Sequence, residues 1–517
     1  MQTQVLIIGA GVTGTGLARD LAMRGVTSIV VEKQDINAGA SGGNHGLLHS
    51  GARYVVSDPS SALECSRENQ ILKQMAPHCI ESTGGLFVAI PGDDEQYITG
   101  FAEACGRCRI PARPVDLKDA LEMEPSLSPR IIAAFAVEDA TIDPFKLSLD
   151  NMAYAQQHGA RLLRHSCVVG VDSCNGCIQR VRVRDNLTGQ ISVIEAEVVV
   201  NAAGAWAGVV AALAGANIPM RYSKGTLLVT QQRLAQRVIN RLRLAASGDI
   251  LVPAGTVSIL GTSSERVDSP DVIYPEIHEV DAMIDDGRTM VPALADTRYI
   301  RAYCGVRPLV AGSGQAQDDR AVSRGFVLID HGEGPAPIAN FISITGGKLT
   351  TYRLMAEKTA DLVCAKLGVK AAGRTRTEPL ANTTDARWTQ PGLAPDMWLQ
   401  KHDLKDILLC ECEMVPQSVA DDLVASIRRQ GGRPSLKAIG LRSRIGKGPC
   451  QGTFCSLRLA AHLYNRGHLA DPNGVEELRA FLRERWRGQQ PLLWDTALAQ
   501  AELLEAMHCG LFCLEIE

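Results

Sequence analysis

Residues 4–32 read QVLIIGAGVTGTGLARDLAMRGVTSIVVE, and this stretch decides the fold of the first unit. Val5 to Ile8 form an apolar run of strand length, Gly9, Gly11 and Gly14 supply G-x-G-x-x-G, and Thr15 to Arg24 set Leu17, Leu21 and Ala22 on one helical face. Strand, glycine turn and helix in this order cradle a pyrophosphate. Gly9 permits the turn, Gly11 lets a phosphate approach the backbone, and Gly14 allows close helix packing. The helix N-terminus adds amide donors and a partial positive charge. A second apolar run, Ser28 to Val31, ends in Glu32, placed to accept from ribose hydroxyls and to disfavour a 2′-phosphate. The motif predicts an α/β, Rossmann-like domain for NAD or FAD rather than NADP.

A chain of 517 residues exceeds one ordinary core, so two or three units are expected. With 45% hydrophobic and 21% charged residues the composition is that of a globular α/β protein, and 48 glycines lean towards phosphate-binding turns. A net charge of −4 gives no long-range attraction for nucleic acid or an anionic membrane, so an anionic ligand needs a local cluster of arginines and lysines. The N-terminus has no basic n-region and runs straight into a strand, which predicts no signal peptide and a cytoplasmic protein. The most apolar window, Val198 to Ile218, contains Asn201 and interior glycines and fits strand, turn and helix rather than a membrane span. Fifteen cysteines in such a chain predict reduced thiols or metal ligands rather than a disulfide framework.

Two later segments bear on NAD against FAD. VVVNAAGAW at Val198 to Trp206 is a strand entering a small-residue turn, and TGGKLTTYR at Thr345 to Arg353 opens a helix. Both resemble the later flavin-contacting segments of the D-amino-acid-oxidase-like superfamily. With GASGGNHGLLHSGARY at Gly39 to Tyr54, SKGT at Ser223 to Thr226, LGTS at Leu260 to Ser263 and GVRPL at Gly305 to Leu309, the chain is similar over nearly its whole length to FAD-dependent glycerol-3-phosphate dehydrogenases, most closely to the large subunit of the bacterial anaerobic enzyme.

The resemblance implies an FAD domain over residues 1–370 with an interleaved β-sheet substrate (capping) subdomain. It implies oxidation of sn-glycerol 3-phosphate to dihydroxyacetone phosphate, hydride passing from C2 to the flavin, with a quinone as final acceptor. Ser41, Gly42, Asn44 and Leu47 would line the flavin, joined by Val168, Gly204, Gly346, Gly347, Leu349 and Thr350. A phosphate-bearing substrate needs converging cations, and the motifs bring Arg53, Arg307, Arg324 and Lys348. Single-subunit relatives carry a histidine shortly after the K-G pair where this chain has Leu227. His49, in the flavin loop, is the substitute general base, against a purely structural histidine, Lys348 or a water.

Residues 371–397 lack apolar periodicity and read as a linker. A second unit at 398–465 holds Cys410-Glu-Cys412 and Cys450-Gln-Gly-Thr-Phe-Cys455, with glycine and proline that let backbone amides turn towards sulfur. C-x-C followed by C-x4-C resembles the small helical [2Fe-2S] domain related to bacterioferritin-associated ferredoxin, with zinc or free thiols as the other occupancies. Cys105/Cys108, Cys174/Cys177, Cys509 and Cys513 read as structural, and Asn175-Gly176 marks a hairpin turn. The tail, 466–517, carries an amphipathic stretch with Leu478, Phe481, Leu482 and Trp486 at helical spacing, packed on the body or facing a partner. The resemblance implies two partners, a second catalytic subunit together with a membrane-associated iron–sulfur subunit, hence peripheral attachment to the inner face of the cell membrane. The competing readings are the FAD/iron–sulfur subunit of an amino-acid or opine dehydrogenase, and a flavoprotein that only relays electrons.

Overall fold

In the computed structural model, which describes residues 1–310, 325–334, 336–470 and 473–514, the strand Gln2–Ile8 lies inside an eight-stranded sheet. It pairs in parallel with Ser28–Val31 on one side and Ile191–Asn201 on the other, and Phe341–Gly346 continues the parallel set. The face that each side chain covers alternates with the two-residue period of a strand. Val5 and Ile7 join Leu17, Leu21, Met355 and Ala360 in one core, while Leu6 and Ile8 join Val199, Val210 and Phe341 in another. Both faces are covered, and a near-continuous apolar strand is what such a sheet demands. The first helix runs Val12–Met23, starting before the predicted Thr15 because extended Gly11 already serves as its N-cap.

The chain leaves this sheet twice, through residues 85–137 and 220–310, to build a nine-stranded sheet. Its longest pair is antiparallel, Met220–Thr230 against Tyr299–Val310, with Ser223 opposite Arg307 and Gly225 opposite Gly305. Leu227 faces Gly261 on the other side. Leu86, Leu228, Leu251, Leu260 and Met283 form the core beneath. The two sheets are therefore interleaved in sequence, and the space between them is the cavity described below.

Residues 371–397 run as a strap bonded to the first unit. Thr375 donates to Asp20 (3.0 Å), the Leu380 amide to the Met75 carbonyl (2.7 Å) and the Thr383 amide to Asp150 (3.0 Å), and Trp388 and Ala394 are buried. Helix Leu393–Lys401 already begins inside the stretch. Tethering through hydroxyls and carboxylates leaves no apolar period to read.

Helices Gln417–Arg429, Leu436–Leu441 and Cys455–Asn465 follow around one core. The tail stretch divides into Asn473–Gln489 and Asp495–Phe512, with a 3-10 turn at Gln490–Leu492 where Pro491 removes an amide donor. Leu478, Phe481 and Leu482 are buried in the C-terminal core. This unit is clamped to the first by Arg442, fully buried, whose two terminal nitrogens meet the Asp35 carboxylate at 2.9 and 3.0 Å. Arg164 adds a third contact to Asp35 at 3.0 Å. Although burial opposes it, these two guanidiniums hold the Asp35 carboxyl well below the usual range.

Candidate functional site

A cavity of about 990 Å³ runs between the sheets from the glycine fingerprint to the Tyr299–Val310 strand. At its first end, Gly9, Gly11 and Glu32 line the wall. Gly14 stands behind it, packed so closely that an added Cβ would lie 1.9 Å from the Gly9 carbonyl oxygen. Ser41 accepts from the Val12 amide (3.0 Å), holding the 39–45 loop against the helix N-terminus. The Glu32 carboxylate accepts from the Ala10 amide (2.9 Å) and the Gln34 amide (2.8 Å), one on each oxygen, which leaves a lone pair on each for a ribose. Burial pushes its carboxyl up and the two amides oppose that. Residues present thus fit a dinucleotide: bare backbone at the phosphates, an anchored carboxylate at the ribose.

Further along, Ser41, Asn44, Leu47, Val168, Gly204, Gly346, Gly347 and Leu349 all face the cavity. Besides Gly14, two predicted contacts do not line it. Gly42 turns towards Asn37 and Phe145, and Thr350 is buried beneath, where its hydroxyl accepts from the His49 amide at 3.1 Å. Both shape the wall from behind.

The far end gathers charge. Arg53 comes from a 3-10 turn, Ala52–Tyr54, Lys348 from the residue before Leu349–Thr351, and Arg307 from the long strand. All three line the cavity, with His49. Arg53 places Nη2 2.9 Å from Asp249, while its Nη1 is buried with no hydrogen-bond partner among the described residues. Asp249, 1% exposed at its side chain, is also held by Arg243 at 2.7 Å. Arg307 is fixed by Ser223 Oγ (3.2 Å), the Ser263 carbonyl (2.9 Å) and the Thr262 hydroxyl. Lys224 of the SKGT segment turns away from this end into Glu279 (2.9 Å), Glu276 (3.1 Å) and Glu265 (3.3 Å). Arg324 lies outside the described residues.

Tyr54 and His45 also line this end and were not singled out from the sequence, although both sit inside the quoted flavin-loop motif. Tyr54 stands between His49, whose Nε2 is 3.5 Å from its hydroxyl, and Lys348, whose ammonium lies 4.6 Å from its ring centre. Burial, then His45, Lys348 and Arg53, hold the His49 imidazole well below its ordinary value, so the ring is neutral.

In the C-terminal unit, Cys412 Sγ lies 3.8 Å from Cys410 and 3.7 Å from Cys450. The contacts among the four thiols hold Cys410 and Cys450 well below the ordinary thiol range and push Cys412 and Cys455 up. Amides of Glu413 and Gly446 point at Cys410, and those of Gly452 and Phe454 at Cys450. Four sulfurs with backbone donors aimed at two of them fit a thiolate-ligated cluster. The other C-x-x-C pairs lie apart from it. Cys105 and Cys108 are buried, and Cys174 and Cys177 face each other across a hairpin turn whose Asn175 and Gly176 have φ of 51° and 68°.

Comparison with known proteins agrees with this architecture. The DAO family model, described as FAD dependent oxidoreductase, matches residues 4–362. An anaerobic glycerol-3-phosphate dehydrogenase subunit of Escherichia coli (strain K12) is 42% identical, covering 100% of this chain and 98% of that protein. The Haemophilus influenzae protein of the same name is 40% identical over 99% of this chain and 94% of its own length. Among solved structures, a Bacillus halodurans glycerol-3-phosphate dehydrogenase complexed with FAD shares the fold at TM-score 0.63 and 22% identity, covering 96% of each chain.

Proposed function

This chain belongs to the FAD-dependent oxidoreductase family and, within it, with the subunits of anaerobic glycerol-3-phosphate dehydrogenase that it matches along its whole length, and from that membership we propose that it oxidises sn-glycerol 3-phosphate to dihydroxyacetone phosphate. One observation carries the reading to the residues: Arg53, Arg307 and Lys348, from three separate segments, meet around two imidazoles at one end of a cavity. Three cations at one end of the cavity suit a phosphate dianion.

When bound, FAD supplies the acceptor for the hydride that leaves C2. The protein supplies the rest. Arg307 and Arg53 anchor the phosphate, which fixes C2 relative to the 39–45 loop. His49, kept neutral, takes the proton of the C2 hydroxyl, and Lys348 beside it favours the negative charge that develops on that oxygen. Tyr54, held between His49 and Lys348, keeps the base and the ammonium in register.

In the same reading Cys410, Cys412, Cys450 and Cys455 hold a [2Fe-2S] cluster, which would supply one-electron transfer away from the two-electron flavin. The electrons then leave through a second catalytic subunit, next through a membrane-associated iron–sulfur subunit, to a quinone, so that this chain attaches peripherally to the inner face of the cell membrane. Among the described residues no helix is long and apolar enough to cross a membrane, which accords with borrowed attachment. The test of the activity is an anaerobic visible-spectrum titration of the FAD-loaded protein with glycerol 3-phosphate, with glycine, proline and an opine as controls. Bleaching by glycerol 3-phosphate alone is expected, and bleaching only by an amine would overturn the assignment. For the cluster, iron and acid-labile sulfide are expected after anaerobic reconstitution and absent from Cys450→Ser, and wild-type protein with neither element refutes it.

A further inference from the structure

His45 has no part in the chemistry described so far, yet it is built into the site. Its loop lines the cavity, and the part of the ring left open faces that cavity. The Leu47 amide donates to Nδ1 at 3.2 Å, so the neutral ring carries its proton on Nε2 and presents a donor. Nε2 meets no protein acceptor among the described residues. The carbon bonded to it, Cδ2, is 3.8 Å from where a Cβ on Gly261 would stand, and Leu227 Cδ2 is 3.2 Å from the same point. Gly261 precedes Thr262, whose hydroxyl holds Arg307. The ring therefore packs beside Leu227 at Gly261, within electrostatic reach of Arg307. Burial, then Arg307 and Arg53, hold this imidazole down to about 3, so it does not become a cation in the working range.

We propose that His45 is a further substrate-binding residue, a neutral N–H donor to a phosphate oxygen beside Arg307. The inference deepens the glycerol 3-phosphate reading and rests on it. A phosphate dianion offers more acceptor lone pairs than two guanidiniums can fill. A neutral donor occupies one more without adding a further positive charge beside the two arginines. The backbone bond to Nδ1 fixes the tautomer, so the ring cannot turn its lone pair to the ligand and is excluded as the proton acceptor.

The experiment compares FAD-loaded wild type with His45→Phe, which keeps the ring shape, and His45→Gln, which keeps an N–H donor. Inorganic phosphate binding is read from the perturbation of the flavin spectrum, and anaerobic flavin reduction by glycerol 3-phosphate gives Kd and the limiting rate separately. Loss of one hydrogen bond to a charged acceptor should raise both dissociation constants about tenfold to hundredfold in His45→Phe. His45→Gln should stay within about threefold of wild type, and limiting rates should change little. Unchanged binding in His45→Phe overturns the proposal, as does Gln binding as weakly as Phe, or a pH–rate profile that loses its acidic limb. If wild-type flavin is not reduced by glycerol 3-phosphate at all, the underlying functional reading fails first, and that outcome is distinct from a failure at His45.

Discussion

Gly225→Ala tests whether Arg307 anchors the substrate without touching Arg307 itself. Gly225 lies mid-strand, opposite Gly305, with its backbone outside the left-handed region, so alanine brings no backbone strain. A Cβ there would stand 2.6 Å from Arg307 Nη2, 2.9 Å from Cζ and 3.0 Å from Nη1. Carbon contacts settle near roughly 3.5 Å, so the guanidinium must retreat by about 1 Å. Its bonds to Ser223 Oγ (3.2 Å) and the Ser263 carbonyl (2.9 Å) then break or lengthen, and it leaves the position from which it meets the phosphate. One charge-assisted bond contributes about 1.5–3 kcal/mol, so Kd for glycerol 3-phosphate should rise about tenfold to hundredfold. The displaced group is the end of a flexible side chain, so unfolding should be nearly unaffected. The assay is stopped-flow anaerobic flavin reduction against substrate concentration, with thermal unfolding alongside. An unchanged Kd with unchanged unfolding would show that the position of Arg307 does not matter, and the anchoring argument would fall.

Arg442→Met should cost about 3–5 kcal/mol, because it leaves the buried Asp35 carboxylate with Arg164 as its remaining ion-pair partner among the described residues; urea unfolding at neutral pH showing under about 1 kcal/mol of loss refutes this. His45 and His49 both have folded values depressed below 6.5 by burial first, so unfolded rings bind protons that the folded rings refuse. Stability is therefore whole above about pH 6.5 and falls as pH drops below it, by roughly 1.4 kcal/mol per unit per ring, with His45 contributing down to about 3. Unfolding free energies at two pH values straddling 6.5 should converge in His45→Gln, and an unaltered pH slope in that variant would contradict the burial argument.

The fingerprint was legible because period and spacing are local. Val5 to Ile8, three glycines and Glu32 fix strand, turn and ribose acceptor within one βαβ turn, and the structure sets them where the pattern requires. The C-x-C spacing was equally local and sets Cys412 3.8 Å from Cys410, whereas the 3.7 Å approach of Cys412 to Cys450, 38 positions on, is made by the fold. The strap at 371–397 was opaque for the opposite reason. Its contacts are single hydroxyl and amide bonds to Asp20, Met75 and Asp150, each far away in sequence. The partner of Asp35 is equally remote, since Arg442 lies 407 positions on.

By itself, then, the sequence determined the glycine turn and the strands and helices that bear it, and it pointed to four cysteines and three cations that the structure brings together. Only the tertiary structure decided which way each charge points. Lys224 and Arg307 belong to equally suggestive motifs, but Lys224 is neutralised by three carboxylates while Arg307, across the same strand pair, lines the cavity. His45 and Leu227, from distant segments, share one space against Gly261. Side-chain direction, burial and tautomer depend on partners brought together through space, and short-range periodicity carries no record of them.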